Sequence, residues 1–374
     1  MDLSFTSEQQ AFAAEARAWL AEHVVAPPVF ASVEEEVAWG RRWQATLAAG
    51  RWVGLAWPRE FGGHGATPVE VALFNLEFAR ARAAQPVNRV GLNLAGPTLL
   101  AHGTTEQQAR WLPGILDASE LWCQLFSEPG AGSDLASLTT RAEPAPSGWR
   151  LTGQKVWSSY AQVARWGICL ARTDPSATKH RGISYLVVDM TAPGVTVRPL
   201  VQLTGEAEFN EVFFDDVVVP AEALVGELHD GWRVANTTLA HERGTTFPFK
   251  EQVVQEVFFE HLLEGLSRDG RLEDVLVADD VARLYVELRL LALANLRTMS
   301  RLAAGAEPGP ESSWVKLLWT TLTTDLSETA HRLLPRDPAW QRQFLWSKAA
   351  SIAGGTSEIQ RTIIAERILG LPRG

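Results

Sequence analysis

The feature that most limits the fold is a change of hydrophobic period partway along the chain. Between about residues 119 and 220, apolar residues come in short strand-like runs: 122–126, 149–156, 167–171, 183–189, 195–197 and 211–219. Gly148, Gly153, Pro193-Gly194 and Gly205 punctuate them, and no helical pattern intervenes. That excludes a βαβ arrangement and predicts a small antiparallel barrel or sandwich. On either side the period is helical. Thr6 with Gln9 reads as a capping box, and Phe12, Ala16, Trp19, Leu20 and Val24 follow on one helical face. Pro27-Pro28, Pro58, Gly62-Gly63, Gly65 and Gly96-Pro97 should divide residues 6–118 into several helices. Beyond Pro220, the near-heptad row Val281, Leu284, Leu288, Leu291, Asn295, Met299 and Leu302 reads as the packing stripe of one long helix. Loops are expected at 305–310 and 335–338. The order α, β, α gives an α+β chain with divisions at 1–118, 119–225 and 226–374.

Composition narrows the function. With 46% hydrophobic and 21% charged residues, the 374-residue chain is globular and not disordered. A net charge of −10 opposes nucleic-acid binding. Cys123 and Cys169 form no CxxC and no disulfide framework, which suits a reducing, cytoplasmic setting. Residues 1–5 lack the basic and apolar parts of a signal peptide, and no apolar run approaches the ~20 residues that span a bilayer.

Several familiar sites fail on inspection. Gly130-Ala131-Gly132 opens a dinucleotide fingerprint, but Leu135 holds its last glycine position and no βαβ pattern follows. His241-Glu242 opens a zinc-protease pair that Thr245 does not complete, so no metal is expected. Leu186 spoils a nucleophile elbow at Gly182-Ile183-Ser184. What remains is residues 126–134, Phe-Ser-Glu-Pro-Gly-Ala-Gly-Ser-Asp. This is a strand entering a Pro-Gly turn with two hydroxyls and open backbone N–H groups. It reads equally as a plain surface turn or as a cradle for a phosphate or the polar edge of a ring.

Glu128 to Asp134 resembles the signature of the acyl-CoA dehydrogenase family, and further landmarks follow in the family's order. They are residues 57–63 (Trp-Pro-Arg-Glu-Phe-Gly-Gly), 103–107 (Gly-Thr-Thr-Glu-Gln) and 153–157 (Gly-Gln-Lys-Val-Trp). Residues 210–216 (Asn-Glu-Val-Phe-Phe-Asp-Asp) and 355–361 (Gly-Thr-Ser-Glu-Ile-Gln-Arg) complete the set. The resemblance implies an N-terminal helical domain, a middle β-domain and a C-terminal four-helix bundle. It also implies FAD, an acyl-CoA substrate desaturated between its α and β carbons, electron-transfer flavoprotein as acceptor, and a homodimer or tetramer. By position, Gln124, Phe126, Ser127, Gly132 and Ser133 should line the flavin. Trp157, Ser158 and Ser159 should pack against its ring, and Thr356, Ser357 and Glu358 should reach it from the C-terminal side. Ser133, Arg243, Gly354 and Gly355 should meet substrate.

Two departures from the family matter. Many members place the catalytic glutamate in a Tyr-Glu-Gly-Thr loop, but here the matching residues are Ala353-Gly354-Gly355-Thr356, and Gly354 cannot accept a proton. One branch of the family supplies the base from the helix after the β-domain, where this chain has His241-Glu242-Arg243. Glu242, among small and apolar neighbours that would raise its pKa, is the expected base. His241 points about 100° away on a helix and reads as a surface histidine. The second departure is the loss of an Arg-x-x-Phe-Gly segment that touches a neighbouring subunit's FAD. Two alternatives stay open: a non-catalytic subunit of a heteromeric enzyme, or a dehydrogenase of carrier-protein thioesters. The extra room left by Ala353 and two glycines suggests a bulky or branched acyl group.

Overall fold

Threonine caps start several helices, the one at Thr6 as the sequence predicts. Thr6, Thr67 and Thr104 each accept the backbone N–H three residues on, while Gln9, Glu70 and Gln107 reach back to the cap N–H. The computed structural model describes residues 5–243, 247–306 and 309–372, without the side chains of 242, 243, 247–250, 302 and 303. The first helices are α1 (Ser7–His23), α2 (Val33–Ala49), α3 (Pro68–Arg80), α4 (Gly96–His102) and α5 (Thr105–Leu116). Gly96-Pro97 does not break the chain as expected. A π-helical turn over Gly91–Ala95 runs straight into α4, with the Gly96 N–H bonded to Gly91 O. The wider turn accommodates a proline that has no N–H to give. Gly96 itself is fixed by packing, since a Cβ there would overlap the Trp57 indole.

The middle of the chain forms β1 (Trp122–Leu125), β2 (Arg141–Ala145), β3 (Gly148–Lys155) and β4 (Trp166–Arg172), then β5 (Ile183–Asp189), β6 (Val195–Leu200), β7 (Phe209–Pro220) and β8 (Leu224–Val225). They make one sheet in the order β6-β7-β3-β2-β4-β5-β8, with β1 also paired to β4. Pairing is mostly antiparallel, as expected, but β1 and β2 both run parallel to β4. Two strands carry no sequence signal. Arg141-Ala-Glu-Pro-Ala145 buries only Ala142, and β8 is two residues long. The later helices are α6 (Gly231–Arg243), α7 (Phe247–Arg268), α8 (Val275–Ala303), α9 (Ser312–Leu333), α10 (Pro338–Ala350) and α11 (Ser357–Ile363).

Contacts gather these elements into two compact units that do not follow chain order. One comprises Met1–Ala26, Ala66–Ala83 and Arg243–Gly374. Here α1 packs on α3 and α3 on α7 and α8, while the C-terminal helices close around Leu262, Leu266, Leu291, Leu326 and Trp340. The stripe on α8 is buried at Leu284, Leu288, Leu291, Asn295 and Met299; the Leu302 side chain lies outside the described residues. The other unit comprises Pro27–Gly65 and Ala84–Glu242, and holds the sheet with α2, α4, α5 and nearly all of α6. Leu151, Ile168, Leu170, Leu186, Val212 and Val217 are its fully buried apolar centre. Among the described residues no helix is long and apolar enough to cross a membrane.

Candidate active site

The parallel pairings of β1 and β2 place the most distinctive sequence in the chain. β1 pairs with residues 166–169 of β4, and β2 rejoins the same edge at Arg172. The chain between them is therefore an excursion that leaves and returns to one strand edge. It begins with Phe126, buried, and Ser127, whose carbonyl accepts the Val156 N–H at 2.9 Å. Glu128 and Ala131 then exchange backbone hydrogen bonds at 3.0 Å around Pro129-Gly130. Gly132 and Ser133 stand exposed beyond the turn.

A buried ion pair clasps this excursion shut. The Glu128 carboxylate accepts from the Thr139 N–H (2.7 Å), the Thr139 hydroxyl (2.8 Å) and the Thr140 N–H (2.9 Å), so the loop's first residues hold its last. Lys155, with no exposed surface, donates to Glu128 at 2.9 Å and to Phe126 O at 3.1 Å. Burial works against a charged carboxylate here, but the Lys155 ammonium and the donors of Thr140 and Thr139 hold Glu128 down to about 2. Sequence reasoning gave this pair no role, because a glutamate and a lysine 27 positions apart look like ordinary surface charges. Lys155 lies in one of the matched segments, which was the available clue.

The end of β3 forms the wall beside that loop. Trp157 has a φ of 62°, which ends the strand's alternation, and its indole is 61% exposed. Phe209 meets it edge-on at 6.0 Å. The next residue is anchored instead: the Ser158 N–H donates to Asn210 O at 3.1 Å, and Asn210 Nδ2 donates to Ser158 O at 3.0 Å. Ser158 is fully buried, yet its Oγ has no hydrogen-bond partner among the described residues; Ser159 is half-buried. A Cβ added at Gly130 or Gly132 would meet nothing within 4 Å. An exposed indole, an unused buried hydroxyl and a glycine turn with room beside it suit a flat ring with a polar edge and a phosphate tail. These residues fit FAD. Gln124, half-buried on β1, completes the set that the sequence nominated in this unit.

Helix α6 is tied to the same sheet. Thr238 Oγ1 lies 2.8 Å from Thr98 Oγ1 and 3.2 Å from the Tyr185 hydroxyl on β5, all three being buried. Tyr185 in turn meets the Phe126 ring edge-on at 5.9 Å, linking the helix to the start of the glycine turn. Burial drives the Tyr185 hydroxyl pKa up, which keeps it protonated. Glu242 stands four residues after Thr238, one turn further along. The side chains of Glu242 and Arg243 lie outside the described residues, and His241 is exposed.

The terminal loop belongs to the other unit. Gly354 and Gly355 adopt φ of 67° and 96°, left-handed backbone that a glutamate would enter only with strain. Gln360, fully buried, donates to both of their carbonyls at 3.1 and 3.2 Å. Thr356 caps α11 by accepting the Ile359 N–H, Ser357 opens the helix, and Glu358 is exposed beside Arg361.

Comparison with known proteins agrees with this arrangement. The sequence matches the N-terminal, middle and C-terminal domains of acyl-CoA dehydrogenase over residues 6–119, 123–217 and 229–369. It is 43% identical to acyl-CoA dehydrogenase IpdE1 of Mycobacterium tuberculosis across 97% of both chains. It is 44% identical to acyl-CoA dehydrogenase FadE34 of the same organism, over 93% of this chain and 48% of FadE34. Among solved structures, the steroid ACAD Tcur3481-Tcur3483 superimposes with a TM-score of 0.88 at 28% identity, covering all of both chains. The ChsE4-ChsE5 complex of M. tuberculosis gives 0.85 at 28% identity, with the same coverage. Because the matched domains follow one another over nearly the whole length, the chain belongs to the acyl-CoA dehydrogenase family.

Proposed function

We propose that the chain is an FAD-dependent dehydrogenase of a bulky, ring-bearing acyl-CoA, with Glu242 as the base that removes the α-proton. The observation that carries this reading is Gly354: the loop position of the usual glutamate has no side chain, and its left-handed backbone disfavours one. Glu242 is the carboxylate available on the helix that Thr238 and Tyr185 tie to the glycine turn. FAD, when bound, supplies the hydride acceptor for the β-hydrogen. Gln124, Phe126, Ser127, Gly132 and Ser133 would hold it with Trp157, Ser158 and Ser159, while Thr356, Ser357 and Glu358 would approach from the terminal loop. The backbone N–H groups of Gly354 and Gly355 would bond the thioester carbonyl and acidify the α-proton. Arg243 and Ser133 would position the substrate, and electron-transfer flavoprotein would take the electrons onward.

The small residues at 353–355 support a wide acyl group, as does likeness to a structure described as a steroid ACAD. A panel of straight, branched and ring-bearing acyl-CoAs, assayed with an artificial electron acceptor, tests this. Ring-bearing thioesters should turn over at least tenfold faster than short straight ones; preference for short straight chains would contradict the reading. A second arrangement follows from the same glycine. Two of the similar structures are described by paired names, Tcur3481-Tcur3483 and ChsE4-ChsE5. This chain would then work beside a related subunit, and co-expression with that subunit would be needed for a yellow, active preparation.

A further inference from the structure

We propose that Asn210 is a positioning residue that sets the Trp157 indole against the flavin, by holding the next residue across a bulge at the end of β3. This deepens the FAD reading above and rests on it.

The pairing of β3 with β7 contains the bulge. Gly153 faces Phe214, Gln154 faces Phe213 and Lys155 faces Val212. Continued, that register would bring Trp157 opposite Asn210. Ser158 stands there instead: its N–H donates to Asn210 O at 3.1 Å, and its carbonyl accepts from Asn210 Nδ2 at 3.0 Å. Trp157 is therefore one residue too many on its strand, and such an insertion re-aims the side chain it carries. The left-handed residue of a bulge is ordinarily glycine, yet here it is a tryptophan at a φ of 62°. Tyr160, three residues on, is also left-handed, with a φ of 55°.

Two such residues so close together cost free energy that the surroundings must offset. The chain is fixed on both sides of Trp157. The Val156 N–H donates to Ser127 O at 2.9 Å, and Asn210 holds both backbone polar groups of Ser158. The Tyr160 N–H donates to Glu208 O at 2.9 Å. Asn210 is fully buried, and its amide nitrogen also meets Gln162 Oε1 and Glu208 O. Three acceptors around one NH2 group decide which way the amide faces. The indole that this scaffold presents is 61% exposed, so burial within the chain does not offset the strain. A flat ring laid on the indole does.

Two comparisons test this. With FAD at saturation, Trp157→Gly should have a higher urea midpoint than Trp157→Ala. That reverses the usual order, because glycine alone takes this φ without cost. A lower midpoint for Trp157→Gly would mean that the left-handed backbone is not held, and would overturn the proposal. The second comparison reads flavin emission and visible circular dichroism of the FAD-loaded protein. Trp157→Leu removes an indole that quenches the flavin, so emission should rise severalfold. Asn210→Leu keeps the side-chain shape and loses the donors; emission should rise by at least half as much, and adding it to Trp157→Leu should give no further rise. Gln162→Ala, a milder change that leaves Asn210 in place, should shift both signals the same way. A role confined to stability would lower the urea midpoints of these two variants and leave both signals as in wild type, which would overturn the proposal. If Trp157→Leu changes the signals and neither Asn210→Leu nor Gln162→Ala does, only this inference falls. If Trp157→Leu itself changes nothing, the indole does not face the flavin and the placement of FAD beside β3 falls with it.

Discussion

Glu128 carries the clearest consequence at the scale of single residues. Its carboxyl is held at about 2 against an ordinary 4.5, because Lys155, Thr140 and Thr139 together outweigh its burial. The unfolded chain therefore takes up this proton near pH 4.5, and the folded chain only near pH 2. The stability this provides is complete above about pH 4.5 and disappears as pH falls from there to about 2. At ~1.36 kcal/mol per pH unit, it amounts to about 3 kcal/mol. Glu128→Gln should flatten the acid limb of the stability curve, read as urea midpoints at pH 7 and pH 3. A variant that loses as much stability as wild type between those pH values would deny the clasp its role. The sequence showed Glu128 as part of a motif, but not what it does. Its partners come from 11, 12 and 27 positions away, and no local period brings them together.

At the scale of elements, helix α6 matters most, because it carries the proposed base. Thr238 joins it to α4 through Thr98 and to β5 through Tyr185. Thr238→Val keeps the shape and removes the hydroxyl, taking that contact from the buried Tyr185 hydroxyl, while Thr98 keeps its bond to Leu94 O. A loss of about 1–3 kcal/mol in unfolding free energy is expected, together with a lower kcat at unchanged FAD content. A variant as stable and as fast as wild type would show that the hydroxyl chain does not hold the helix. Elements also show why some of the fold was legible and some was not. The capping box at Thr6 and the stripe from Leu284 to Met299 are local or strictly periodic, so the sequence displays them. β2 is not periodic, since its order comes from pairing with β3, and Pro144 argues against it locally. Gly96-Pro97 reads as a break because the Trp57 ring that lies on Gly96 is contributed from 39 positions away.

At the scale of the whole molecule, the family motifs are spread from residue 57 to residue 361, which is why family membership was readable before any coordinates. Assembly is less visible in sequence. Tyr285, Val286, Leu290 and Leu293 leave about half of their surface exposed along α8, a row separate from the buried stripe on the same helix. Such a row on a long helix suits a contact with another subunit. Wild type should sediment as a dimer or larger, and Leu290→Glu with Leu293→Glu should shift it to a smaller species. A wild type that is monomeric at micromolar concentration, or a variant with unchanged mass, would count against this surface. The account as a whole turns on the proton acceptor. Anaerobic mixing of the Glu242→Gln protein with a thioester that wild type oxidises is the direct measurement. The variant should keep its FAD and its yellow colour while wild type bleaches, at a rate at least a thousandfold lower. Bleaching of Glu242→Gln at the wild-type rate would mean that another group takes the α-proton.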